Sequence, residues 1–206
     1  MLRPIHVSLI SANFLQLQEL KNTIESYDFL GLHCDVMDGV FVPNVTFGTC
    51  VLQWFQNIDV HLMVAKPLFY LELFQDLSIR SCSLHVENLP SLESLEQYKK
   101  KYSLGLVFDL YTDPKTISKE ILEYFDYYLV MSVKAGFGGQ LYQDVSQKIQ
   151  YLLSFQKPIQ IDGGITDQLL GLEGVNSFVM GSWFFKESLE KQREILQEKI
   201  IKISKK

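Results

Sequence analysis

The strongest constraint on this chain is an alternation that runs from end to end. Short runs rich in β-branched and aromatic residues take turns with longer, helix-patterned segments. The pattern predicts eight strands: His6–Ser11, Gly31–Met37, Asp59–Val64, Ser81–Glu87, Leu104–Leu110, Tyr127–Val133, Pro158–Asp162 and Ser177–Gly181. It predicts helices over Phe14–Tyr27, Gly48–Gln56, Pro67–Leu77, Leu92–Lys101, Lys115–Tyr124, Tyr142–Phe155, a short Asp167–Leu172, and Glu187–Ile203. Pro67, Pro90 and Pro114 stand at or just before helix starts, where a missing N–H costs little. Successive strands begin roughly 20–30 residues apart, the length of a βα unit with short connections. Eight such units favour a closed α/β (β/α)8 TIM barrel over an open doubly wound sheet. The strands argue the same way, because several carry His, Asp and Met at alternate positions near their C-terminal ends. Under helices in an open sheet those polar groups would be buried without partners. At the mouth of a barrel they converge.

No Gly/Ser/Pro-rich linker divides the chain, so residues 1–206 are expected to form a single barrel domain. Shared among eight units, the length gives about 26 residues each, the small end of this architecture. That leaves no room for a second domain or a large lid, and closure falls to short loops, chiefly the one around Phe137.

Charge narrows the partners. The chain has 19 Lys+Arg against 24 Asp+Glu, a net −5, the wrong sign for a nucleic-acid binder. Seven of the basic residues lie from Lys186 onward, where Leu189, Ile195, Leu196, Lys199 and Ile203 recur at helical intervals. That reads as the solvated face of a last helix. Cys34, Cys50 and Cys82 lack C-x-x-C spacing, which argues against a disulfide framework or a thiolate metal cluster. No stretch approaches the roughly 18–20 apolar residues of a membrane span. His6, Ser8, Ser11 and Asn13 interrupt any secretory apolar run. The expectation is a soluble, cytoplasmic protein without nucleic-acid or membrane partners. Apolar residues exposed on barrel helices would suit a homo-oligomer.

The period of two along a strand places His33, Asp35 and Met37 on one face, with Leu32, Cys34 and Val36 toward the helices. His61 and Met63 repeat the idea on the third strand, and Ser83, His85 and Glu87 share a face on the fourth. The seventh ends in Asp162-Gly163-Gly164. Singly each is an ordinary strand residue. Brought to one mouth, His33, Asp35, His61 and Asp162 form a His₂/carboxylate₂ set that suits one divalent ion, Zn²⁺, Fe²⁺, Mn²⁺ or Co²⁺. Glycines cluster after the last three strands: Gly136-Phe137-Gly138-Gly139, Gly163-Gly164 and Gly181-Ser182. Each cluster either makes a tight βα turn or lets backbone N–H groups approach an anion, and three in succession favour phosphate.

A metal between two carboxylates, beside a phosphate grip, points to proton removal next to a carbonyl of a small sugar phosphate. One Asp takes the proton from one face and the other returns one to the opposite face, inverting the centre through an enediolate. An Asp of ordinary pKa, ~3.9, is too weak a base to do this unaided, and metal coordination of the substrate oxygens would close the gap. Met37, Met63 and Met131 either fill the core or form an apolar lining that excludes water.

These segments resemble the ribulose-phosphate 3-epimerases. The resemblance is carried, in order, by Ser8-Leu9-Ile10-Ser11-Ala12-Asn13-Phe14, His33-Cys34-Asp35-Val36-Met37-Asp38-Gly39, Phe41-Val42-Pro43-Asn44, His61-Leu62-Met63, Gly136-Phe137-Gly138-Gly139-Gln140 and Asp162-Gly163-Gly164-Ile165. It covers nearly the whole chain. It implies a (β/α)8 barrel that interconverts D-ribulose 5-phosphate and D-xylulose 5-phosphate in the pentose phosphate pathway. It implies a divalent metal held by His33, Asp35, His61 and Asp162, with the two aspartates as acid/base pair. Ser8 and His61 match substrate-contacting positions. Gly138, Gly139, Gly163, Gly164, Gly181 and Ser182 match the phosphate grip, and Met37, Met63 and Met131 the apolar lining.

The departures are local. Lys134-Ala135 stands where the family has Asn-Pro, which is expected to loosen the closing loop while Lys134 adds a cation near the phosphate. Asp109 ends the fifth strand where the family usually has Asn or another polar residue, either as a solvated rim group or as a change in the sugar pocket. Asn13 replaces a more usual Asp, and the seventh helix is expected to be trimmed. Three other readings share much of the pattern. An allulose-6-phosphate 3-epimerase would use the same metal and aspartates. A decarboxylase or hexulose-phosphate synthase would need an Asp-x-Lys-x-x-Asp run, which Asp35-Val36-Met37-Asp38 does not supply. A non-catalytic sugar-phosphate-binding paralogue would need neither Asp35 nor Asp162.

Overall fold

The structure, a computed structural model, describes residues 5–204. Its strands are β1 (Ile5–Ser8), β2 (Leu30–Met37), β3 (Ile58–Met63), β4 (Ile79–His85), β5 (Ser103–Phe108), β6 (Tyr127–Met131), β7 (Ile159–Asp162) and β8 (Ser177–Met180). All pair in parallel in chain order, and β1 pairs with β8 to close a barrel. The expected (β/α)8 architecture is therefore the observed one. The register sets Ser8 beside His33, Asp35 beside His61, Met37 beside Met63, and Met131 beside Asp162.

The alternation along each strand sorts the core into two parts. Outward residues such as Leu32, Cys34, Val36, Leu62, Leu106 and Val130 are buried in the layer between sheet and helices. Inward residues Met37, Met63, Val107, Leu129 and Met131 form a separate apolar group near the mouth. Each fully buried aliphatic side chain stabilises the fold by about 1.5–3 kcal/mol, so the outer layer dominates stability. The barrel floor is polar: His6, Asp59, Ser81, Tyr127 and Gln160 are all buried. Gly105 makes that floor possible, because a Cβ there would lie 2.3 Å from Cζ of Tyr127. Only glycine lets the ring cross the barrel interior.

The helices are shorter than their sequence patterns. They are α1 (Leu17–Glu25), α2 (Thr49–Leu52), α3 (Pro67–Leu73), α4 (Leu92–Lys99), α5 (Lys119–Tyr124), α6 (Ser146–Leu152) and α7 (Leu189–Ser204). The first predicted helix splits into a 3₁₀ turn over Phe14–Gln16, capped by Asn13, and then α1. The fifth splits likewise, into a turn over Pro114–Thr116 capped by Asp113 and then α5 capped by Ser118. In α2 the helix ends at Leu52, and Asn57 at φ 57° turns the chain into β3. The seventh unit keeps only a 3₁₀ turn over Asp167–Gly171, trimmed as expected. Leu196 of α7 is fully buried. The side chains of Leu189, Lys199 and Ile203, like Lys205 and Lys206 of the basic tail, lie outside the described residues. No described helix is long and apolar enough to cross a membrane.

Candidate active site

The inward residues of β2, β3 and β7 meet at the C-terminal mouth. His33 Nε2 and His61 Nδ1 lie 3.3 and 3.2 Å from Asp35 Oδ1. Both nitrogens lie 4.0 Å from Asp162 Oδ2. One donor atom from each of His33, Asp35, His61 and Asp162 thus falls within 4.8 Å of the others, a group that could hold a metal ion. His33, Asp35 and His61 are buried and Asp162 is half-buried at the edge of the mouth.

Each member is held from behind. Ser8 Oγ donates to Asp35 Oδ2 at 2.7 Å. His33 Nδ1 meets Asp59 Oδ2 at 2.9 Å. His61 Nε2 meets His85 Nε2 at 2.9 Å, the two rings stacked with centroids 5.0 Å apart. His85 Nδ1 in turn lies 3.2 Å from Glu87 Oε2, and Thr112 donates to the other oxygen of Glu87. The Ser132 hydroxyl fixes the end of β7 by donating to the Asp162 carbonyl at 3.0 Å.

The two mouth carboxylates are driven apart electrostatically. Burial opposes the charge on Asp35, but the charge and hydrogen bonds of His33 and His61 outweigh it and hold the carboxyl well below the usual range. Burial and the nearby charge of Asp35 push Asp162 up to about 7.

Above the cluster opens a cavity of about 320 Å³, the size range of small-ligand sites. Asp35, Asp162 and Ser8 form its base, and Met37, Met63 and Met131 line its apolar wall. The glycine segments converge on the other wall, where Gly138, Gly139, Gly163, Gly164, Gly181 and Ser182 all face the cavity. Gly164, at φ +60°, allows the β7 loop to press against the preceding one: a Cβ would fall 2.1 Å from the Tyr142 nitrogen.

The structure bears on the expectations for Lys134, Ala135 and Asp109. Ala135 is itself tied within the loop after β6. Its N–H donates to Asp109 Oδ1 at 3.1 Å, Asn44 Nδ2 donates to the Gly136 carbonyl at 2.8 Å, and Gln140 Nε2 donates to the carbonyls of Lys134 and Phe137 at 2.8 Å. Asp109, half-buried at the rim, anchors the loop and does not line the cavity. Nor does Lys134 face the cavity. The cation that lines it is Lys186, at the start of the segment set aside as a solvated helix face. Asp38, within the recognised motif, is also structural: it accepts from the N–H groups of Val40, Phe41 and Ala65, tying the β2 and β3 loops together.

Asp59 was not among the sequence candidates, although it precedes His61 by two residues and so shares its inward phase. That phase was the signal available. The period of two predicts His85 and Glu87 on one face with Ser83; Glu87 in fact lies in a 3₁₀ turn after β4 and reaches His85 around it.

Comparison with known proteins agrees with this geometry. Among curated proteins, the chain is 36% identical to the ribulose-phosphate 3-epimerase of Helicobacter pylori, covering 87% of this chain and 89% of that protein. It is 30% identical to the enzymes of that name from Encephalitozoon cuniculi, over 94% of both chains, and from Bacillus subtilis, over 90% and 93%. Among solved structures, a tryptophan synthase α-subunit from Pyrococcus furiosus superimposes with a TM-score of 0.63 at 12% identity, covering 100% of both chains. Phosphoribosyl anthranilate isomerase from Thermus thermophilus gives 0.61 at 15% identity, over 97% and 99%. Those two likenesses speak for the barrel alone. The profile described as the ribulose-phosphate 3 epimerase family matches residues 4–185, which contain every strand and all four converging donors. The chain belongs to the ribulose-phosphate 3-epimerase family.

Proposed function

We propose that this chain, as one barrel domain over residues 1–206, is a metal-dependent ketose-phosphate 3-epimerase of the pentose phosphate pathway. Its substrates are D-ribulose 5-phosphate and D-xylulose 5-phosphate. The observation that carries the reading is the pair Asp35 and Asp162 meeting at one four-atom donor cluster, beneath a cavity walled by glycine backbone.

The donors fit a divalent ion. His33 Nε2 is a buried nitrogen without a hydrogen-bond partner, and two imidazoles with two carboxylates suit Zn²⁺, Fe²⁺, Mn²⁺ or Co²⁺. When bound, such an ion supplies Lewis acidity that stabilises negative charge on the oxygens flanking the reacting carbon. With Nδ1 of His61 turned to that ion, its Nε2–H donates to His85, and His85 Nδ1–H donates to Glu87. Every contact in that chain is then satisfied.

The two aspartates divide the proton work. Asp35, held ionised by its histidines, takes the C3 proton on one face. Asp162 delivers a proton to C3 on the other face, so one C–H bond breaks, one forms, and the configuration inverts. In the reverse direction the roles exchange. The Ser8 hydroxyl keeps Asp35 aimed, and the methionine wall excludes water that would weaken these electrostatics. The phosphate binds at the far wall, on backbone N–H groups of the glycine segments with Lys186 beside them.

The test is exchange of the C3 proton of ribulose 5-phosphate in deuterated water by protein of measured metal content. Bound metal together with exchange that vanishes in Asp35→Asn and in Asp162→Asn is the expected result. Folded protein that exchanges neither a five- nor a six-carbon substrate would refute the epimerase reading. Exchange of the six-carbon substrate alone would refute the assignment of the pentulose.

A further inference from the structure

We propose that Asp59 is the positioning residue of the metal centre, fixing His33 with its proton on Nδ1 so that Nε2 is left as a ligand. The proposal rests on the metal reading above. Asp59 sits on β3 two residues before His61 and is 1% exposed. Its Oδ2 lies 2.9 Å from His33 Nδ1, 3.1 Å from Gln160 Nε2 and 3.4 Å from His6 Nδ1. Its Oδ1 accepts from Ser81 Oγ at 2.6 Å and from the Tyr127 hydroxyl at 3.3 Å. The partners come from β1, β2, β4, β6 and β7, so the whole barrel converges on one carboxylate.

Two features assign it a role beyond stability. An ionised carboxylate only accepts hydrogen bonds, so the atom facing it at 2.9 Å must carry a proton. The other ring tautomer would oppose two lone pairs. With its proton on Nδ1, the neutral ring turns the Nε2 lone pair toward Asp35 and Asp162, and that nitrogen makes no hydrogen bond. Secondly, burying a carboxylate is costly, and a neutral acceptor could satisfy the donors of Ser81, Tyr127 and Gln160. What an anion adds is a stronger pull on the Nδ1 proton, which raises the basicity of the opposite nitrogen. His61 receives no such pull, because its outer nitrogen meets the ring of His85.

The test is Co²⁺ binding to chelator-stripped protein, read by the visible absorption of the bound ion. Asp59→Asn should bind Co²⁺ about 10–100-fold more weakly. Ser81→Ala, which removes a donor from the other oxygen only, should lower the melting temperature and leave the affinity unchanged. Equal affinity in Asp59→Asn and the unaltered protein would overturn the proposal and leave the metal reading standing. Failure of the unaltered protein to take up Co²⁺ would overturn both. Should Asp59→Asn not fold, nitrogen-15 spectra of the unaltered Zn²⁺-loaded protein decide instead: His33 must carry its proton on Nδ1, and an unprotonated Nδ1 refutes the assignment.

Discussion

The exchange of Asn-Pro for Lys134-Ala135 and the aspartate at the end of β5 look independent in the sequence, yet one hydrogen bond joins them. Proline has no N–H to satisfy; alanine has, and Ala135 is 5% exposed. Asp109 supplies the acceptor at 3.1 Å. A hydrogen bond to a charged group contributes about 1.5–3 kcal/mol, and Asp109 is half-buried, so water replaces part of it and the low end applies. Asp109→Ala should therefore destabilise the closed loop by about 1.5 kcal/mol, or about tenfold in its opening equilibrium. Asn44 and Gln140 still hold the loop, so the opening stays local and the global melting temperature should hardly move. Amide hydrogen exchange over residues 134–140 reads this directly: the expected result is about tenfold faster exchange in Asp109→Ala. The decisive comparison is with Ala135→Pro, which removes the donor. In that background Asp109→Ala should accelerate exchange no further, leaving a coupling energy of about 1–1.5 kcal/mol in the double-mutant cycle. Equal acceleration with and without the proline would refute the pairing.

Three further outcomes are expected. Lys186→Met should raise KM for the sugar phosphate by about fivefold with kcat unchanged, the effect of one unit charge in water-like surroundings, and the difference should shrink with added salt; a fall in kcat at constant KM would contradict its place at the phosphate end. Glu87 is opposed by burial but held down to about 2 by hydrogen bonds from His85 and Thr112. A depressed carboxyl stabilises the fold above its unfolded pKa, about 4.3, and that stability is lost as pH falls toward 2. The full shift corresponds to about 3 kcal/mol, which partial exposure reduces to about 1–2. Urea midpoints at pH 7 and pH 3 should therefore differ less in Glu87→Gln than in the unaltered protein; equal differences count against the network. Gly164→Ala should cost about 2–5 kcal/mol, from a left-handed backbone and a collision with the backbone of Leu141 and Tyr142 that no rotamer relieves. A melting temperature within a degree of the unaltered protein would contradict that contact.

What could be read in the sequence was whatever the period of two exposes. His33, Asp35 and Met37 are conspicuous because charged and sulfur-bearing residues alternate with Leu32, Cys34 and Val36, and barrel closure then brings them to His61 and Asp162. Asp59 escaped because a polar residue at a strand start looks like a boundary. Its importance comes from Ser81, Tyr127 and Gln160, which reach it only across the closed barrel. Asp109 and Ala135 are 26 residues apart, and nothing local marks a carboxylate as the partner of a backbone N–H in the next loop. Lys186 was hidden by its neighbours: the basic run from Lys191 onward is a solvated-helix pattern, and only the turn after β8 carries Lys186 to the cavity. The predicted helices run past the turns that end them, as Gly48–Gln56 runs beyond Leu52 in α2.

The depth of the site follows from the same spacing. Asp59, His61 and Met63 are successive inward residues of one strand, so a single periodicity assigns the floor anchor, the mouth nitrogen and the apolar wall to three levels. His33, Asp35 and Met37 on β2 run alongside in register. A slip of one residue in β3 would turn all three outward and bring Val60 and Leu62 to the interior, so register here is chemistry as much as stability. A register shift lies just below these levels. The pairing of β3 with β4 shifts between Ile58 and Asp59, which face Ile79 and Ser81, so that Arg80 is the extra residue. The bulge re-aims Arg80, whose guanidinium comes within 3.2 and 3.3 Å of the ring nitrogens of His6, itself 3.4 Å from Asp59. Without the bulge, Ser81 would leave the inward face and Asp59 would lose its 2.6 Å donor. The irregularity at the floor is what brings the Ser81 hydroxyl to Asp59.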